Sequence, residues 1–204
     1  MKKIGFLVAF AFTLLFGNSL TASAEEFYYP DGAEIEAMNL ELQALVEEAN
    51  NQLENGAEKV EVTSGDLKLV FEAKENRVSP FLKDGSVSQA STVGSKSYQA
   101  YVANTAGFNF RHSVYGTFSW NSSGVLTGVT AVPDLSGAAY NRTETTTITG
   151  VDGRIGIDAK IAKIYSRGTF TPFKYSPKSY YTTLIVDVYG PTKSYRIIEA
   201  KIDY

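Results

Sequence analysis

His112 is the only histidine in a chain that carries thirteen tyrosines, one tryptophan and no cysteine. Imidazole is the side chain that trades protons near neutral pH, so general-base or pH-sensitive chemistry in this protein would run through His112. A Ser-His-Asp relay would have to use it as well. No G-x-S-x-G or S-x-x-K pattern supports such a relay after residue 24. One histidine and no thiol leave little with which to hold a transition metal. No EF-hand loop, phosphate-cradling loop or dinucleotide fingerprint is present. The sequence therefore implies no cofactor and no metal. Hydrolysis by a carboxylate pair needs only two acids at the right separation. Asp66, Asp84, Asp134, Glu144, Asp152 and Asp158 are available. Most of these fall in or near expected turns, where Asp is favoured for backbone reasons. No catalytic residue is assigned.

Tyrosine is the compositional outlier. Tyr28, Tyr29, Tyr175, Tyr180, Tyr181 and Tyr195 are the candidates for an exposed aromatic face. Tyrosine offers an apolar ring and a polar tip, which suits it to stacking on sugars and to anchoring protein interfaces.

The elements that must position these residues are mainly β. From Phe108 to Trp120 every second residue is apolar or neutral, and the residues between are mostly polar. That is the period of a strand with one buried face, and it places His112 on the apolar side. Asn121 to Gly124 is a turn, and Val125 to Val132 reads as the return strand. Upstream, Asp31 and Glu34 have the spacing of a capping box. Ile35, Met38, Leu42, Leu45, Val46, Ala49 and Leu53 then form one helical stripe, and Asn55-Gly56 stops it. The expected helix covers about residues 33–54.

After the helix the period changes to two. Lys59–Thr63 and Leu67–Phe71 flank Ser64-Gly65-Asp66 as a hairpin. Residues 76–85 read as a loop, Val87–Lys96 as an edge strand or loop, and Tyr98–Asn104 as a strand. Pro133–Asn141 reads as a loop and Thr143–Thr149 as a strand. Ile155–Ile161 alternates and is expected to pair with that strand across Val151–Arg154. Residues 168–179 hold Pro172 and Pro177 and read as irregular. Tyr180–Tyr189 is the most apolar strand, expected inside a sheet, and Tyr195–Ile202 closes the chain. Short strands with turns between them predict an antiparallel β-sandwich or a partly open barrel, with the one amphipathic helix covering a face or an open end.

Met1-Lys2-Lys3, the apolar run Ile4–Phe16 and Ala22-Ser23-Ala24 have the pattern of a secretory signal peptide cleaved after residue 24. Residues 25–30 then form an aromatic lead-in to one β-rich domain over 31–204. No later run is long and apolar enough to span a membrane. The formal charge is −3, which argues against a nucleic-acid partner. A cysteine-free exported chain fits a protein that crosses a single membrane, so the expected location is extracellular or wall-associated and Gram-positive-like. The expected function is a secreted, non-enzymatic binding module. Its partner would be a cell-wall polymer, another carbohydrate or a protein. The alternatives are a membrane-acting β protein, suggested by the alternating hairpins at 108–132 and 143–161, and a hydrolase using carboxylates or His112.

Overall fold

The computed structural model describes residues 30–76, 93–138, 140–172 and 178–204. The expected signal peptide, the lead-in, Asp84, Tyr28, Tyr29 and Tyr175 lie outside them. So does most of the stretch expected as an edge strand or loop at 87–96.

The helix α1 spans Gly32–Glu54. The Asp31 carboxylate accepts the Glu34 N–H at 2.9 Å, and the Glu34 carboxylate accepts the Asp31 N–H at 2.8 Å. This capping box satisfies two groups that the helix start would otherwise leave orphaned. The expected stripe is buried from Ile35 through Leu42, Leu45, Val46 and Ala49, while Leu40, off the stripe, is exposed.

Ten strands follow: β1 Lys59–Ser64, β2 Leu67–Asn76, β3 Gly94–Asn104, β4 Phe110–Trp120, β5 Leu126–Val129, β6 Val132–Ser136, β7 Tyr140–Gly150, β8 Ile161–Pro172, β9 Tyr180–Tyr189 and β10 Ser194–Asp203. The first sheet has the order β1-β2-β3-β4-β5, with β6 also on β4, and the second has β10-β9-β8-β7. Every pairing is antiparallel. The sheets are not closed into a barrel. They pack face to face as a sandwich, with β3 and β4 against β9 and β5 against β8. The central register is as expected: Phe110, His112, Val114, Phe118 and Trp120 all point into the core.

Helix α1 packs on β10, β1 and β2. β1 and β10 are the edge strands on one side of the sandwich. The helix therefore covers two edges that would otherwise offer unpaired backbone groups. On β10 it also bonds the backbone, with two asparagines. Asn39 donates to the Ile202 carbonyl and accepts its N–H, both at 2.8 Å. Asn50 makes the same pair of bonds to Ile197, at 2.7 and 3.0 Å.

Eleven helical residues rise about 16 Å, and five strand residues extend about the same distance, so the two amides meet the strand in step. Strict alternation would turn Ile197 and Ile202 opposite ways, because they are five apart. The register slip between Ile197 and Glu199 restores the parity. Both side chains then enter the core, and both backbones face the helix. Asn50→Ala leaves a buried N–H and C=O of Ile197 without partners. It is expected to cost about 1–3 kcal/mol, read as a fall in the urea midpoint with an unchanged slope.

Several sequence expectations change, among them the return strand expected at Val125–Val132, which breaks at residues 130–131 into β5 and β6. Residues 133–136, expected as loop, belong to β6, where Val132–Ser136 pairs with Arg111–Tyr115. Pro133 is tolerated because β6 pairs on one side only. Residues 155–160, expected as strand, form an irregular loop. The Asp152 carboxylate accepts the N–H groups of Lys160 and Ile161, and Asp158 accepts that of Arg154. These bonds hold the chain in a closed loop, so the strand starts at Ile161 and Ile157 is left exposed. The stretch 168–172, expected as irregular, continues β8 because β7 pairs with all of it and β9 with Gly168–Phe170. Between β5 and β6, the Thr130 carbonyl lies over Gly116 and accepts the Tyr98 hydroxyl at 2.9 Å. A Cβ on Gly116 would sit 2.0 Å from that oxygen, which explains the one missing side chain in the inner register.

Candidate functional site

His112 sits at the middle of the sandwich, fully buried. Its Nε2 lies 2.8 Å from the Ser166 hydroxyl on β8, and its Nδ1 lies 2.9 Å from the Thr182 hydroxyl on β9. Ser166 in turn bonds the Thr146 hydroxyl on β7 at 2.8 Å. The imidazole thus ties β4 to three strands of the other sheet. Burial holds its pKa down to about 4, against a smaller opposing effect of the Thr182 backbone. A serine and a histidine are in hydrogen-bond contact, but the position of the third triad member holds a neutral threonine hydroxyl. It offers no charge to stabilise an imidazolium. Ser166 is as fully buried as His112, so the arrangement joins the sheets and presents no nucleophile to solvent.

The described carboxylates named from sequence are dispersed. Asp66, Asp152 and Asp158 accept hydrogen bonds within turns and loops. Asp134 lies on β6 and Glu144 on β7, both exposed.

The tyrosines separate by strand parity. Tyr180 is only 2 % exposed and packs in the core against Phe108, with ring centroids 4.5 Å apart. Tyr195 is half-buried and stacks on Phe71 at 4.2 Å. Tyr181 points out from the second sheet. The even residues of β9, from Tyr180 to Val188, fill the core, so the odd residues Tyr181, Thr183, Ile185, Asp187 and Tyr189 form the outer face.

Register extends that face across the sheet. Arg196, Asp187, Lys163 and Thr149 make one row. Glu199, Ile185, Tyr165 and Thr147 make the next, followed by Lys201, Thr183, Arg167 and Thr145. Tyr165, Tyr181 and Tyr189 are half-buried. The Arg167 guanidinium lies over the Tyr181 ring at 4.2 Å, which fixes both planar groups. Along β9, Tyr181 and Tyr189 are eight residues apart, roughly 26 Å. Tyr165 stands level with Ile185, halfway between them on β8.

Asp187 is the unusual group on this face. It is 8 % exposed, and its Oδ1 is buried with no hydrogen-bond partner. Burial pushes its carboxyl above the ordinary carboxylate range, while the Lys163 ammonium across the strand pulls it down. Burial and the neighbouring Asp187 charge push the Tyr189 hydroxyl up. An unfilled acceptor of this kind costs stability. Aromatic faces, cationic donors and the exposed threonines Thr143, Thr145, Thr147 and Thr149 can together stack on sugar rings and bond their hydroxyl edges.

Among the described tyrosines singled out from sequence, Tyr181 is the one the structure brings to this face. Tyr165, Tyr189, Arg167 and Asp187 escaped that reading. Their signal is the alternation within Leu184–Val188, where an Asp stands between two core valines. Comparisons with protein-family models, with curated proteins and with solved structures found no match.

Proposed function

We propose that this chain is a secreted, non-enzymatic binding module that holds a carbohydrate polymer of the cell wall on the outer face of its second sheet. The secreted placement rests on the pattern of residues 1–24. The binding reading rests on one observation above all: Tyr165, Tyr181 and Tyr189 are spaced along one outer face built by regular strands, with Arg167 over the Tyr181 ring and Asp187 two residues from Tyr189. A rigid sheet presents such groups without ordering a loop, which keeps the entropic cost of binding low. The buried Ser166–His112 pair serves the fold.

Purified protein is expected to pellet with isolated peptidoglycan sacculi and to stay in solution with lipid vesicles. Tyr181→Ala and Tyr165→Ala are each expected to weaken binding about tenfold, the size of an interface anchor worth roughly 1.4 kcal/mol. Pelleting with vesicles, or no retention by any wall glycan, would overturn the reading.

A further inference from the structure

A second, smaller site lies at one end of the sandwich, and nothing in the sheet-face reading depends on it. The β4–β5 tip (residues 121–125) and the β9–β10 tip (residues 190–193) enclose a cleft of about 270 Å³. Its walls include Val93, Trp120, Asn121, Ser122, Ser123 and Lys193. The two tips touch through glycines. A Cβ on Gly190 would sit 2.1 Å from the Gly124 carbonyl oxygen, and one on Gly124 would sit 2.8 Å from Pro191. The Trp120 ring lies against Gly94, where a Cβ would come within 2.4 Å of it. The cleft is thus held by close backbone contacts that larger residues would prevent.

Lys193 is the one described non-glycine residue with positive φ, at 55°. Tight turns place glycine or asparagine at such a position, because other side chains are strained there. Here the strained residue is a lysine, and its ammonium is held 5.9 Å from the Trp120 ring centroid at the cleft. Strain kept at one residue is explained when its side chain has work to do. Among the described lining residues Lys193 supplies the one charge, and none of them is a carboxylate. Two serine hydroxyls and an asparagine are grouped with an indole wall.

We infer that this cleft binds an acidic sugar residue. Lys193 receives the anionic substituent, Trp120 flanks the ring, and Ser122 and Ser123 bond its hydroxyls. On a wall-binding module, such a cleft would add a preference for acidic polysaccharide.

Trp120 is the only tryptophan in the chain, so its fluorescence reports this cleft directly. The full chain is titrated with a glucuronate-containing tetrasaccharide, with its carboxyl-reduced neutral counterpart and with inorganic phosphate. The expected result is a saturable change in emission with the acidic sugar and at least tenfold weaker binding of the other two. Lys193→Gly relieves the strained backbone, so it is expected to keep or raise the melting temperature and to weaken the acidic sugar at least tenfold. Lys193→Asn, which tolerates the same φ, is expected to weaken it equally. Tyr181→Ala is expected to leave this titration unchanged, which separates the cleft from the sheet face. An unchanged affinity in both Lys193 variants, or no emission change with the acidic sugar, would overturn the inference. Phosphate binding as tightly as the sugar would reduce the cleft to a simple anion site and overturn it too.

Discussion

Phe108→Ala is expected to lower folding stability by about 3–5 kcal/mol. The Phe108 ring is fully buried at the end of the sandwich opposite the hairpin tips. It meets Phe110 at 5.0 Å, Tyr180 at 4.5 Å, Tyr140 at 5.6 Å and Phe170 at 6.0 Å, the last two edge-on. The partners come from β4, β7, β8 and β9, so one side chain joins both sheets. Its approach is set by Asn104, whose amide donates to the carbonyls of Ala106 and Phe108, each at 2.9 Å. Gly107, with φ at 58°, makes the bend. Removing the ring leaves a cavity lined by large rigid aromatics that cannot collapse into it. A domain of this size is stable by only ~5–15 kcal/mol, so the loss takes a large share. Urea denaturation followed by far-ultraviolet circular dichroism measures it, and a loss below ~1 kcal/mol would contradict this account of the cluster.

The second large effect is on pH dependence. His112 has a folded-state pKa of about 4, against ~6.5 when unfolded. Its pKa is depressed on folding, so the folded state favours the neutral imidazole. Below the unfolded value the unfolded chain binds a proton that the native chain refuses, and stability falls as pH falls. The contribution is intact above about pH 6.5 and is lost progressively down to about pH 4, for a total near 3 kcal/mol. His112 is the only histidine, so no other imidazole confuses the comparison. Asp187 titrates with the opposite sign, because burial raises its carboxyl. That contribution cancels when wild type is compared with His112→Gln. The difference in stability between the two is expected to narrow steadily from pH 7 to pH 4. A difference that stays constant over this range would mean that the imidazole is not held neutral by burial.

The parts of the fold legible in the sequence are those fixed by short-range pattern. The alternation of Phe108–Trp120 places His112 in the core, and the Asp31–Glu34 spacing and apolar stripe place the helix. The misreadings lie where distant partners decide. Val132–Ser136 has weak strand character and becomes a strand because β4 offers it a free edge. Ile155–Ile161 alternates well, yet Asp152 and Asp158 bind its backbone and close a loop. The Asn39 and Asn50 bonds to β10 join residues far apart in sequence, and no local pattern announces them. The candidate face was half legible. Tyr181 is visible as an aromatic, but Arg167 over its ring and Tyr165 on the same face come from β8 by register alone.

The central claim is that the outer face of the second sheet is the binding surface. The most direct test is an amide and side-chain chemical-shift map of the full chain titrated with a soluble peptidoglycan glycan fragment. The expected map has its largest shifts at Lys163, Tyr165, Arg167, Tyr181, Thr183 and Asp187, fading toward α1 and the outer face of the first sheet. Shifts centred on the groove between α1 and β10, or on the first sheet around Tyr115, would contradict the claim, as would a titration that moves no resonance.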